Sequence, residues 1–74
     1  MAEAQRLDCR GMEPPEPMEQ VLAKLPELGH DEQLLVLFDR EPRPLFRILR
    51  EDGYSHHVSF NDEGWFEVLI WQRF

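Results

Sequence analysis

The stretch LDCRGMEPPEPMEQVL, residues 7–22, decides the fold because it marks the place where a strand gives way to a helix. Gly11 ends a short segment, and Pro14, Pro15 and Pro17 follow closely. Proline is well tolerated in the first helical turn, where the backbone N–H has no intrahelical partner. The glutamates among the prolines favour the positive end of the helix dipole. The stretch therefore predicts a helix that begins among its prolines.

The remaining segments follow the hydrophobic periods that are typical of helices and strands. The first helix has one apolar stripe with the spacing i, i+3, i+4, i+7, formed by Met18, Val21, Leu22 and Leu25. Pro26 then interrupts the pattern. The other predicted elements are strands at residues 6–9, 33–39, 55–60 and 65–74, a helix opened by Pro42 and Pro44 and ended by Gly53, and a hairpin loop at residues 61–64.

The order β-α-β-α-β-β predicts an α+β two-layer sandwich, in which two helices cover one face of a four-stranded mixed sheet. The opposite face of the sheet is then left without a helix. A chain of 74 residues has room for one small domain. We expect residues 1–5 to form a disordered lead-in and residues 6–74 to form that domain.

Composition narrows the class of protein. The net charge is −7 and the chain has one lysine, which disfavours a nucleic-acid binder, because such proteins place cations against phosphates. The single cysteine cannot close an internal disulfide or a zinc site. The N-terminal residues lack the apolar segment of a signal peptide, and no apolar run is long enough to span a bilayer. We therefore expect a soluble cytoplasmic protein with no membrane partner.

The segment LDCRGMEPPEP resembles the signature of the TusA/SirA-like family, which reads roughly Leu-Asp-x-x-Gly-Leu-x-Cys-Pro-x-Pro. The positions that match are Leu7, Asp8, Gly11, Pro15 and Pro17, with Met12 in place of a leucine. Later features match in order too, including Asp39 after the second strand and Gly53 before the third. The chain looks like an uncharacterised branch of that family, in which the junction reads Glu-Pro-Pro-Glu-Pro.

The resemblance implies the strand order 1-2-4-3 with both helices on one side of the sheet. In TusA-like proteins the motif cysteine carries a persulfide in sulfur relay, and here Pro14 occupies that position. The sulfur-carrier activity is therefore not expected to transfer. The motif junction consists of Asp8, Gly11, Glu13, Pro14, Pro15, Glu16 and Pro17.

Cys9 precedes the thiol position of the motif by five residues. Strand alternation places it on the same side as Leu7, facing the helices, and free cysteine commonly behaves as a small buried hydrophobe. A structural Cys9 is the preferred interpretation. The alternative is a redox or sulfur-relay protein that acts through Cys9.

Three arginines lie at or near the two helix starts: Arg10, Arg40 and Arg43. Helix N-termini attract anions through free N–H groups, so this end of the sheet could hold a phosphate or a carboxylate. The alternative is self-neutralisation, because acidic residues occupy the same region and prolines remove N–H donors. Those acidic residues are Asp8, Glu13, Glu16, Asp39 and Glu41.

The sheet face without a helix is a candidate interaction surface. Alternation along the last strand places Leu69 and up to two tryptophans, Trp65 and Trp71, on that face, with Leu35 and Leu37 or their alternates beside them. Exposed apolar patches that contain tryptophan are typical of partner surfaces. Alternatively, the tryptophans cap the ends of a thin core.

Metal binding and catalysis have little support in the sequence. Adjacent strand residues such as His56 and His57 point to opposite faces and cannot chelate one ion together, and His30 is in a loop with no Cys or His at the spacing of a zinc site. No nucleophile triad or phosphate-binding glycine loop is visible. We therefore expect no catalytic residues, metal or cofactor.

The sequence thus favours a non-catalytic binding or adaptor module that docks an unknown protein partner or a small anion at the proline-rich junction. Redox or sulfur-relay chemistry at Cys9 is the alternative function. The chain itself is expected to be a monomer or a weak homodimer.

Overall fold

The computed structural model describes residues 3–73. The strands are β1 (Glu3–Asp8), β2 (Glu32–Phe38), β3 (Tyr54–Phe60) and β4 (Phe66–Gln72), and the helices are α1 (Glu16–Lys24) and α2 (Arg43–Glu51). A short 3₁₀ turn, Leu25–Glu27, extends α1. The predicted element order β-α-β-α-β-β is confirmed.

The four strands form one mixed sheet with the order β1-β2-β4-β3. β1 and β2 are parallel, while β4 is antiparallel to both β2 and β3. The predicted strand order 1-2-4-3 is therefore confirmed. Because β1 and β2 run in the same direction, the segments that lead from them into α1 and α2 leave the sheet at the same end.

The first helix begins where the prolines predict. Pro15 occupies the N-cap position, Pro17 lies in the first turn, and Glu16 and Glu19 add negative charge there. The backbone continues past the helix end into the 3₁₀ turn, where Pro26 occupies the first turn. Pro26 thus ends the α-helix, and the backbone makes one 3₁₀ turn before it leaves the helix axis.

The second helix turns a narrow apolar face toward the sheet. Leu45 and Leu49, one helical turn apart, are its buried residues. Pro42 lies at the N-cap position and Pro44 in the first turn, as predicted. Gly53 follows the helix with φ +88°, the left-handed conformation that glycine adopts without strain.

The core lies between the helices and one face of the sheet. The same cluster contains Val21 of α1, Leu49 of α2 and three pairs of neighbours on the central strands. Those pairs are Leu34 with Ile70, Val36 with Val68, and Phe38 with Phe66. Phe66 is the one member of these pairs that is only partly buried. Both helices therefore cover the same sheet face, as predicted.

β1 begins earlier than predicted. Residues 3–5 belong to the strand and continue its parallel pairing with β2, so they are not a disordered lead-in. These three residues show no alternating apolar pattern, and the observation that places them in the strand is their backbone pairing with β2. Residues 1 and 2 of the predicted lead-in, and Phe74 of the predicted last strand, lie outside the described residues.

Candidate functional site

A cleft lies where β1 and β2 end and α1 and α2 begin, and we call it the junction cleft. Its volume is about 600 Å³. The prolines of both helix starts line it, together with the apolar side chains of Cys9, Met12, Met18, Phe38 and Leu45. The rim carries three acidic residues, Glu13, Asp39 and Glu41, and one arginine, Arg40. The cleft is thus an apolar depression with a mostly acidic rim.

A direct contact connects the two junctions on either side of the cleft. The backbone N–H of Gly11 donates a hydrogen bond to Oδ2 of Asp39. Gly11 has φ +81°, a conformation that most other residues adopt only with strain. Asp39 therefore fixes the loop after β1 to the loop after β2 and sets the width of the cleft.

Cys9 lies at the base of the junction cleft and is 2% exposed. Its backbone N–H bonds to the carbonyl of Leu37, and its Sγ lies 3.9 Å from the carbonyl oxygen of Pro17. Burial, with smaller contributions from the charges of Asp8 and Glu16, raises the pKa of the thiol to about 11. The predicted inward orientation of Cys9 is confirmed, and its environment suppresses the reactive thiolate.

Alkylation of Cys9 should therefore be slow in the native protein. Against an ordinary pKa of 9.0, a value of about 11 lowers the thiolate fraction at pH 8 about a hundredfold, and burial adds a steric barrier. We expect iodoacetamide to label the native chain at least about a hundredfold more slowly than the chain in 8 M urea, as followed by mass spectrometry. Native labelling within about tenfold of the unfolded rate would contradict this.

Pro14, which stands at the thiol position of the TusA/SirA-like signature, lines the junction cleft. The peptide bond between Pro14 and Pro15 is cis. Pro15 and Pro17 also line the cleft, whereas Asp8 and Glu16 do not. The structure therefore brings most of the predicted motif junction to one wall and separates Asp8 and Glu16 from it.

The structure does not bring the three predicted arginines together. Arg10 forms a bidentate pair with Asp8, through Nε at 2.9 Å and Nη2 at 2.7 Å, and its guanidinium lies 4.4 Å from the centre of the Trp65 ring. Arg43 pairs with Glu41 at 2.6 Å. Arg40 alone lines the cleft, so a three-arginine anion pocket is not formed.

Self-neutralisation at Arg10 has an electrostatic signature. Its side-chain and backbone hydrogen bonds to Asp8 lower the pKa of that carboxyl to about 2. The same hydrogen bond to Asp8 raises the pKa of Arg10. The carboxylate of Asp8 thus already neutralises the positive charge of Arg10, which an anionic ligand would need.

The start of α1 offers few free donors to an anion. The N–H of Glu16 bonds to the carbonyl of Glu13 at 2.9 Å, and the N–H of Glu19 bonds to the carbonyl of Pro15 at 3.1 Å. Pro17 has no N–H at all. Backbone contacts within the junction therefore occupy most of the groups that a helix N-terminus normally presents.

The start of α2 is occupied in the same way. The N–H of Arg43 bonds to the carbonyl of Glu41, and the N–H of Leu45 to that of Pro42, both at 3.0 Å. Pro44 contributes no donor. The geometry at both helices thus favours an uncharged ligand over an anion.

The predicted interaction face is only half exposed. Leu69 and Trp71 of β4 lie on the sheet face opposite the helices and are partly buried, and Leu35 lies opposite Leu69 on β2. Trp65 is covered by Arg10, and its Nε1–H donates to Glu67 at 3.2 Å. Within residues 3–73, the only large hydrophobic side chain classed as exposed is Phe60. A partner surface on this face stays a prediction.

The two adjacent histidines point to opposite sides, as strand alternation predicts. The ring of His56 stacks on Phe46 of α2, with centroids 4.7 Å apart, whereas His57 is exposed. In the part of the chain that the structure describes, no group of three or more His, Cys, Asp or Glu side chains could hold a metal ion. Among the same residues, no helix is long and apolar enough to cross a membrane.

Stability should depend on the protonation of His56. Burial, with a smaller contribution from Arg50, lowers its pKa below the ordinary 6.5. A depressed pKa contributes stability that is present above pH 6.5 and is lost as the pH falls through the folded value. We expect the urea midpoint to fall from pH 7.5 to pH 5.5 by more in the wild type than in His56→Phe. An equal fall in both proteins would exclude this role.

Sequence reasoning missed the apolar walls of the cleft. Phe38 lies in a continuous apolar run and Leu45 on the apolar face of a helix, which predicts core positions for both, and both are 4% exposed or less. No local pattern distinguishes a core residue that borders a cleft from one that does not. The proline clusters at both helix starts were the available signal.

The comparisons with known proteins complete the description of this site. Neither the curated proteins nor the solved structures gave a match to the chain. Residues 6–72, which include both junctions and all four strands in whole or in part, match the family model described as Uncharacterized conserved protein (DUF2249). The chain therefore belongs to the DUF2249 family.

Proposed function

We propose that this protein is a non-catalytic binding module, which takes a short apolar segment of a partner protein into the junction cleft. The observation that carries the proposal is the cleft itself, about 600 Å³ in volume and walled by prolines and apolar side chains. Concave, mainly apolar sites of about 300–1,000 Å³ are typical of ligand pockets. A small domain with a thin core has few other places for such a site.

The walls combine rigidity with adaptability. Pro15 and Pro42 occupy the helix N-cap positions, and proline fixes the backbone φ angle. A rigid wall loses little conformational entropy when a ligand binds, which favours affinity. Met12 and Met18 are flexible and polarisable, so they can adapt to the shape of an apolar side chain.

Charge on the rim indicates what should flank the apolar segment. Glu13, Asp39 and Glu41 line the cleft, but Glu41 is already paired with Arg43. A lysine or arginine next to the bound apolar side chains would meet Glu13 and Asp39. Opposite charges at a binding surface mainly raise the association rate and the specificity.

The cleft can be tested by one substitution on each face of α1. Met18→Lys places a charge in the apolar cleft, whereas Gln20→Lys makes the same charge change on the exposed side of the helix. We expect a protein captured from native lysate by the wild type to be lost with Met18→Lys and retained with Gln20→Lys. Circular dichroism should show that both variants are folded.

Two further variants separate the possible modes of binding. Pro15→Ala tests the rigid wall, and Arg40→Ala tests the one arginine that lines the cleft. If Arg40→Ala loses the captured protein and Met18→Lys fully retains it, the ligand of the cleft is acidic and the proposal of an apolar ligand is wrong. Retention by all of these variants would make the junction purely structural.

The alternative function through Cys9 is not favoured by this geometry, because the thiol is buried and its pKa is raised to about 11. Kinship with the TusA/SirA-like family also stays a proposal. The strand order and the proline-started helix support it, while the position of the sulfur-bearing cysteine is Pro14.

A further inference from the structure

We infer that the free edge of β3 is a self-association surface, at which two copies of this chain pair antiparallel and join their sheets. β3 is an edge strand, since β4 is its only neighbour in the sheet formed by residues 3–73. The inference does not depend on the function proposed for the junction cleft, which lies at the β1–α1 and β2–α2 junctions.

The outward backbone groups of β3 follow from the hydrogen bonds at its two ends. The N–H of Asn61 bonds to the carbonyl of Trp65 at 2.7 Å, and the carbonyl of Gly53 accepts from Arg73 at 2.9 Å. Residues 53 and 61 thus point their backbone groups toward β4. Backbone direction alternates along a strand, so the outward groups belong to Tyr54, His56, Val58 and Phe60.

These outward groups are self-complementary. The midpoint of the seven-residue strand is His57, and a twofold axis at His57 pairs residue 54 with 60 and residue 56 with 58 of the second copy. This register gives every outward residue a partner, whereas a shift in either direction leaves some of them unpaired. It also places the exposed Phe60 beside Tyr54 of the other copy, on the same face of the joined sheet.

The charge pattern of β3 leaves its edge open to a second copy, because the strand places no like charges opposite each other across the twofold axis. β3 has the sequence YSHHVSF, without Asp, Glu, Lys, Arg or Pro, in a chain whose net charge is −7. The other edge strand, β1, has the sequence EAQRLD and carries both acidic and basic residues. Proteins protect free sheet edges with charges or prolines, and here only the β1 edge has such protection.

The dimer should be weak. A single pair of seven-residue strands falls at the small end of protein interfaces, where transient complexes are found. We therefore expect a dissociation constant between about 1 μM and 1 mM, measured by sedimentation equilibrium of the full chain at pH 7.5. A chain that remains monomeric up to about 1 mM would overturn the inference.

The register is tested by His57→Glu. In the proposed dimer, residue 57 of one copy lies directly opposite residue 57 of the other copy. The two form a non-hydrogen-bonded pair, in which the Cα atoms are about 4.5 Å apart. Two carboxylates there should weaken association at least about tenfold, because like charges directly opposite each other repel. Ala4→Glu adds the same charge on the exposed surface of β1 and should leave the dimer unchanged.

Val58→Pro provides an independent test of the backbone pairing. It removes an outward N–H, and proline is tolerated on edge strands when its N side faces solvent, so the monomer should fold. We expect this variant to be monomeric as well. If His57→Glu and Val58→Pro both dimerise as tightly as the wild type, another surface forms the dimer and the inference is wrong.

Discussion

Leu34→Ala should remove a large part of the stability of this protein. Leu34 is fully buried on the central strand β2, where it belongs to the core between the sheet and the helices. Replacing a buried leucine with alanine costs about 2–5 kcal/mol, from lost burial and from the cavity that remains. A chain of 74 residues is expected to have about 4–11 kcal/mol in total.

Leu35→Ala is the matched control, because Leu35 is the next residue on the same strand but lies half-buried on the opposite face. It should cost less than about 1.5 kcal/mol, roughly half of the transfer free energy of a leucine side chain. Urea denaturation followed by circular dichroism measures both variants. Equal losses would show that Leu35 is as fully buried in solution as Leu34 and would contradict the placement of the two side chains.

Most of the fold could be predicted because its signals are local. The continuous apolar run of β2 is typical of a central strand, the 3.6-residue period of α2 indicates one buried face, and prolines mark both helix starts. The early start of β1 could not be predicted, since residues 3–5 show no alternating apolar pattern and are placed in the strand by pairing with β2. That pairing joins residues far apart in the sequence, so the hydrophobic pattern of residues 3–5 does not indicate it.

The site was predicted less completely, because its key contacts join distant parts of the chain. Alternation was sufficient to turn Cys9 inward, and the prolines located the junction. The position of Arg10 was not predictable, since its partner Trp65 lies far along the chain, in the loop between β3 and β4. That contact removes Arg10 from the cleft and changes the expected ligand from an anion to an apolar group.

The Arg10–Trp65 contact lies on the sheet face opposite the helices, where one leucine is fully buried. Leu37 lies on this face, between Asp8 of β1 and Glu67 of β4, and is nevertheless 1% exposed. Both described helices pack on the other face, so side chains of the same face are the candidates to cover it. Arg10, which binds Asp8, and Trp65, which binds Glu67, are placed to form that cover.

Leu37→Ala should therefore destabilise the protein as strongly as a substitution in the main core. We expect a loss of about 2–5 kcal/mol in the free energy of unfolding, because the leucine is fully buried and its neighbours can collapse only partly. Leu69→Ala, on the same face but half-exposed, is the control and should cost less than about 1.5 kcal/mol. Urea denaturation of both variants at pH 7 gives the comparison.

A double-mutant cycle on Arg10→Ala and Trp65→Ala identifies what covers Leu37. Cation–π contacts contribute about 0.5–2 kcal/mol, and a coupling of that size between the two substitutions would show that they act together. If the coupling is absent and Leu37→Ala costs no more than Leu69→Ala, the cover does not form in solution. Leu37 would then be available to a partner, and the open face would regain the interaction role that its tryptophans suggest.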